Sequence, residues 1–197
     1  FKVLIPMCAL NVEKGMRLSM NSIIVYGSHY GTTKQYAEEL SKRTNIKVIS
    51  FKKINQQING YDNIIYLGGL YAGGVLGMSK TLKKLNNISN KKIIIATVGL
   101  SDPTDEVNKN NIRNNIKNQI TKEVFEKAKI FHLRGRIDYS ELNFAHKTMM
   151  KLLYNAVKSL PEEKQSAEDR AVIETYNMKV NFIDFSSLDK IITEVQK

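Results

Sequence analysis

One cysteine, Cys8, stands in 197 residues. A lone thiol excludes a disulfide framework and any cysteine-held zinc or iron–sulfur centre, and it fits a reducing cytoplasm. No apolar run approaches the length of a bilayer-crossing helix, so a membrane-spanning chain is not expected. The three histidines, His29, His132 and His146, have no metal-ligand spacing, and no metal site is expected. No Ser/His/Asp or paired-carboxylate arrangement stands out. Both common nucleotide motifs, G-x-x-x-x-G-K-[ST] and G-x-G-x-x-G, are missing, which sets aside P-loop and Rossmann dinucleotide sites. A phosphoacceptor Asp at the end of the third strand is missing too; Gly68 and Gly69 stand there.

Acids are scarce beside bases. Nineteen Asp and Glu against 30 Lys and Arg leave a formal net charge of +11. That balance suits a polyanion, an anionic membrane surface or a phosphate- or carboxylate-bearing ligand, or it is lysine-rich composition spread over a solvated surface. No helix-turn-helix, RNP or finger pattern accompanies it, so nucleic acid is not the expected partner. A hydrophobic content of 42% and a charged content of 25% are those of a folded domain.

What is present is organised around Ile23-Ile24-Val25-Tyr26-Gly27-Ser28-His29-Tyr30-Gly31-Thr32-Thr33-Lys34-Gln35. Four apolar residues predict a buried strand, and helical patterning begins near Thr33. Thr32 with Gln35 three places on has the capping-box form, which predicts Thr32 as the cap of a helix running to about Thr44. The turn between strand and helix holds Ser28, Gly31, Thr32 and Thr33 and no Lys or Arg. Backbone N–H groups and hydroxyls at a helix N-terminus make an anion site, here expected for a phosphate.

Further strands are predicted at Lys47–Ser50, Asn63–Leu67, Lys92–Val98 and Lys129–Leu133, with helical stretches between them. Met78, Leu82 and Leu85 mark one helix; Ile112, Ile116, Ile120 and Val124, every fourth residue, mark a long polar one. Alternation of this kind implies βαβ units with right-handed crossovers. The expected fold class is α/β, a doubly wound five-stranded parallel sheet of order 2-1-3-4-5, whose ligands bind at the carboxyl ends of the strands. A final helix, capped at Ser186 and apolar at Leu188, Ile191, Ile192 and Val195, should close the sheet. The stretch from about 135 to 184 is then an insertion before that helix. The first 19 residues show neither helical nor strand periodicity, and Met20 offers a natural start after them. They are read as an upstream-encoded or cloning-derived segment, with Phe1–Ile5 as a potential edge strand, and residues 20–197 as the domain.

Two glycine-bearing loops join the phosphate turn at the same end of the sheet. One holds Gly68, Gly69, Leu70, Tyr71, Ala72, Gly73 and Gly74; the other holds Thr97, Val98, Gly99, Leu100 and Ser101. Glycines let backbone approach a flat ligand, and Leu70, Tyr71 and Leu100 offer apolar faces to it. Together the three loops suit a phosphorylated flat heterocycle.

On these residues the chain resembles the flavodoxin family, which implies a flavodoxin-like form of the doubly wound sheet. Ser28-His29-Tyr30-Gly31-Thr32-Thr33 is similar to that family's phosphate loop, and the two later loops match the positions that flank its FMN ring. Tyr30 is a departure from the Thr common there. The resemblance implies FMN as cofactor, held by Ser28, His29, Tyr30, Gly31, Thr32 and Thr33 at the phosphate and by residues 69–73 and 97–101 at the ring. In the tail, Leu133-Arg134-Gly135-Arg136-Ile137-Asp138-Tyr139 and Phe144-Ala145-His146-Lys147-Thr148-Met149-Met150-Lys151-Leu152-Leu153 are similar to the branch containing menaquinone-dependent protoporphyrinogen dehydrogenase. That implies an oxidoreductase taking electrons from a tetrapyrrole-type substrate to a quinone. The alternatives are an electron carrier served by redox partner proteins, and a binding module without cofactor.

The insertion begins with a helix of about 16 residues, Asn143–Lys158, with no acid. Met149, Leu152, Leu153, Ala156, Val157 and Leu160 share a face; Lys147, Lys151 and Lys158 lie elsewhere. Such a helix either meets an anionic membrane surface, where the protein would be peripheral, or packs its apolar face on the sheet.

Overall fold

The apolar residues of the strands alternate between two cores, and that alternation explains the layers. In the computed structural model, which describes residues 21–71 and 73–197, β1 (Ser22–Gly27), β2 (Val48–Ser50), β3 (Asn63–Tyr71), β5 (Lys92–Gly99) and β6 (Lys129–Arg134) pair in parallel. Their order is β2-β1-β3-β5-β6, the doubly wound order expected from the sequence. The expectations for residues 1–19, the Phe1–Ile5 strand included, lie outside the described residues.

Ile24, Ile65, Leu67, Ile94 and Ala96 face one side of the sheet. Tyr36, Ala37 and Leu40 of α1 (Thr32–Thr44) cover them there, with Leu188, Ile191 and Val195 from the C-terminal segment. Ile23, Val25, Ile64, Tyr66, Ile93 and Ile95 face the other side, under Met78 and Leu82 of α2 (Met78–Leu82) and under Ile112, Ile116, Ile120 and Val124. Strands covered on both faces read as continuous apolar runs for this reason.

Several local expectations change. A two-residue strand, β4 (Gly74–Val75), folds back antiparallel on the end of β3, so Gly68–Tyr71 are strand rather than loop; Gly68 and Gly69 pair with Thr97 and Val98. The run Ile112 to Val124 is two helices, α3 (Glu106–Gln119) and α4 (Lys122–Lys127). Ile120 between them is extended yet buried, and Thr121 caps α4. The four-residue repeat is thus kept in space while the helix is broken. The predicted caps also move. Gly31, not Thr32, is the N-cap of α1, in the left-handed region at φ 87°, with no side-chain cap. The final helix is preceded by a 3-10 turn, Phe185–Leu188, capped by Asp184 rather than by Ser186, and α7 follows at Asp189–Gln196. In that turn Asp184 Oδ1 accepts the Ser186 N–H at 2.9 Å, a role a carboxylate fills as well as a hydroxyl.

Between β6 and that turn the chain makes β7 (Arg136–Asp138), α5 (Phe144–Lys158), α6 (Ala167–Thr175) and β8 (Lys179–Asn181). β7 and β8 form a separate antiparallel pair. The α6 helix went unpredicted, although Ser166 and Asp169 form a complete capping box at its start. One hydroxyl ties the base of this insertion to the sheet. Buried Tyr36 donates to the Arg134 carbonyl at 2.8 Å and accepts the Asp184 N–H at 3.0 Å, holding both ends of the excursion.

Candidate functional site

The strand-to-helix turn after β1 is shaped by glycine. Gly31 takes a φ that L residues rarely adopt, and its N–H donates to Ser28 Oγ at 3.1 Å. The first intrahelical bond runs from Gln35 N–H to the Gly31 carbonyl at 3.0 Å. The N–H groups of Thr32 and Thr33 therefore have no helical acceptor. Their hydroxyls make no hydrogen bond among the described residues, although both residues are buried. These donors, at the positive end of a helix with no acid in its first turn, fit a phosphate.

The other two loops rise beside this turn. Gly99 lies so close to Leu70 that a Cβ there would sit 2.7 Å from Leu70 Cδ1. The loop after β5 is held by Arg134, whose Nε and Nη2 donate to the Leu100 carbonyl at 3.2 and 3.0 Å while its guanidinium stacks 3.7 Å from the Phe182 ring centre. Buried Asn108 donates to Ser101 Oγ at 2.9 Å and fixes the far side of that loop.

A cleft of about 610 Å³ lies between these loops. Of the residues expected at a site, Ser28, His29, Tyr30, Thr32, Thr33, Gly69, Leu70, Tyr71, Gly73, Val98, Gly99, Leu100 and Ser101 line it. Gly31 shapes the turn without lining the cleft. Thr97 is turned away, buried with its Oγ1 2.7 Å from His132 Nδ1. Ala72 lies outside the described residues.

The remaining wall is the insertion, which sequence reasoning had not placed at the site. Arg136, Ile137 and Leu142 line the cleft from β7 and the turn after it; His146, Met149, Met150 and Leu153 line it from α5, and Ala171 and Val172 from α6. The signal was there in the spacing of His146, Met149, Met150 and Leu153, which puts all four on one face of a helix. The α5 helix does not lie on the sheet as an ordinary covering helix would. It packs on α6, buries only Val157, and leaves Phe144 86% and Leu152 66% exposed.

Electrostatics separate the parts of the cleft. Arg136 is paired with Glu141 at 3.0 Å. The Asp138 carboxylate is held down at about 2 by hydrogen bonds from Ser140 and Lys179, the latter also an ion pair at 3.0 Å. Burial, then His146 and Lys52, pushes the His29 imidazole below its ordinary value, favouring its neutral form. Glu168, by contrast, is pushed up by burial and by Asp169.

The family model described as "Flavodoxin domain" matches residues 23–165. A flavodoxin from the domain Archaea is 18% identical with a TM-score of 0.35, over 59% of this chain and 85% of that one. A Fusobacterium nucleatum flavodoxin bound to flavin mononucleotide is 18% identical with a TM-score of 0.39, over 64% and 75%. Oxidised Flavodoxin 1 from Bacillus cereus is 14% identical with a TM-score of 0.34, over 72% and 100%. Likenesses this distant add nothing to the topology already described, and the family rests on the 23–165 match. No curated protein matches the chain.

Proposed function

The chain belongs to the flavodoxin domain family, and from that membership and the cleft we propose that it is an FMN-binding oxidoreductase with a substrate of its own. One observation supports the second half of that reading: the insertion walls the cleft with Met149, Met150, Leu153 and Val172, so the chamber extends beyond what three loops enclose. A pure electron carrier works through an exposed cofactor edge and has no need of such a wall.

The residues present fit the cofactor. Thr32 and Thr33 offer backbone N–H groups and hydroxyls to the phosphate, with Ser28 shaping the turn. Leu70, Tyr71 and Leu100 stand where a flat ring needs apolar flanks, and Gly69 and Gly99 let backbone come close to its edge. When bound, FMN supplies the electron chemistry. The protein's part is to hold it, exclude water with the insertion and admit a partner against α5 and α6. By resemblance to the dehydrogenase branch, the proposed donor is a protoporphyrinogen-type tetrapyrrole and the proposed acceptor a quinone. The exposed Phe144 and Leu152 beside Lys147, Lys151 and Lys158 support peripheral contact with an anionic bilayer, where a quinone is met. Among the described residues no helix is long and apolar enough to cross a membrane.

The test is anaerobic turnover of protoporphyrinogen by FMN-loaded protein with a soluble quinone. Oxidation that scales with protein supports the enzyme. Reduction of the bound flavin only by a partner reductase would make it a carrier.

A further inference from the structure

Four rings from three distant segments meet at the mouth of the cleft. His146, in the first turn of α5, lies between two phenols: Tyr30 OH bonds its Nδ1, and Tyr71 OH lies 2.9 Å from its Nε2. The Tyr30 oxygen also accepts the Asn143 N–H at 3.4 Å. His29 completes the group, its ring centre 4.6 Å from that of Tyr71 and 5.3 Å from that of His146. Having accepted from Asn143, the Tyr30 hydroxyl is free to give its proton to Nδ1. Nε2 then carries the hydrogen and donates it to Tyr71. One neutral tautomer satisfies every partner.

This cluster does work that apolar burial does not. The α5 helix fully buries only Val157, near its far end, so burial alone leaves its first turns without an anchor on the core. Tyr71, for its part, ends β3 beside the glycine turn, and its hydroxyl has His146 as its partner among the described residues.

We propose that His146 is a positioning residue of the cofactor site: clasped between Tyr30 and Tyr71, it sets the Tyr71 ring at the cleft wall and fastens the start of the insertion across the mouth. The proposal rests on the FMN reading for its consequence at the ring, and on geometry alone for the clasp.

The experiment compares wild type, His146→Ala and His146→Gln. Glutamine offers a carbonyl to Tyr30 and an amide N–H to Tyr71, so it can replace both bonds. Hydrogen–deuterium exchange of the cofactor-free protein reads the first turns of α5. Release of FMN and fluorescence of the bound flavin, which a stacked phenol quenches, read the ring. With alanine, exchange at residues 144–150 should rise, FMN release should quicken by up to about thirtyfold, the ceiling set by two neutral hydrogen bonds, and fluorescence should increase. With glutamine most of each effect should disappear, and protection of the central strands should be the same in all three proteins. Unchanged exchange and release in the alanine variant would overturn the proposal. So would a glutamine variant as impaired as alanine with its sheet intact. If wild type holds no FMN, the cofactor reading fails by itself and the exchange arm still decides the clasp.

Discussion

The sheet and the insertion are held by different physics. In the sheet, Ile24, Val25, Ile64 and Ile95 are wholly buried between two helical layers, and each contributes through area removed from water. In the insertion, α5 leaves Phe144, Leu152 and Leu153 exposed and packs on α6 over a small core of Leu142, Val157, Ala171 and Val172, and the excursion is joined to the sheet by particular polar contacts: the Tyr36 hydroxyl at its base, the Arg134–Phe182 stack beside it, the His146 clasp at the mouth. A frame built on burial tolerates the loss of any one polar contact. A strap joined through a few contacts does not.

Substitutions should expose that contrast, beginning with the largest effect. Ile95→Ala removes a fully buried side chain from the central strand and should cost about 2–5 kcal/mol in denaturant unfolding; Leu152→Ala on α5 should stay within about 0.5 kcal/mol. Equal costs would dissolve the distinction between the regions. Gly31→Val forces a β-branched residue to φ 87°, which should weaken FMN binding by about tenfold or more while the sheet still folds. Tyr36→Phe strands the Asp184 N–H and should cost about 1–3 kcal/mol, with amide exchange rising at both ends of the insertion before it rises in the strands.

A smaller effect belongs to the sheet. Burial, with Lys109 and Arg113 nearby, lowers the His132 pKa from an ordinary 6.5 to about 4. The folded protein keeps this imidazole neutral where the unfolded chain binds a proton. Its contribution is therefore complete above pH 6.5 and is lost as pH falls from about 6.5 towards 4. Thermal midpoints should drop through that window, and His132→Gln should flatten the drop. An unaltered profile would remove His132 as its source.

The sequence made one region far more legible than the other. Continuous apolar runs such as Asn63–Leu67 and Lys92–Val98, each followed by glycine, left little choice but buried parallel strands, and strand order followed from the alternation with helices. The strand-to-helix turn proposed for the phosphate could be located because a buried strand and a helical pattern bound it on either side. Its cap could not, since Thr32 and Gly31 both satisfy local rules and the left-handed backbone at that position, φ 87°, decided for glycine. The break at Ile120 was hidden because a buried residue keeps the same period in a continuous helix or across a kink. The insertion's place over the cleft depends on contacts between residues more than a hundred positions apart, as between Tyr30 and His146, and no local pattern encodes those.

FMN is proposed to lie between the turn after β1 and the loops after β3 and β5. The most direct measurement is the absorption spectrum of purified protein after loading with FMN and desalting, with Gly31→Val alongside. Wild type should keep flavin bands at close to one equivalent, and the variant should lose most of them. A wild-type protein that emerges colourless would contradict the proposal.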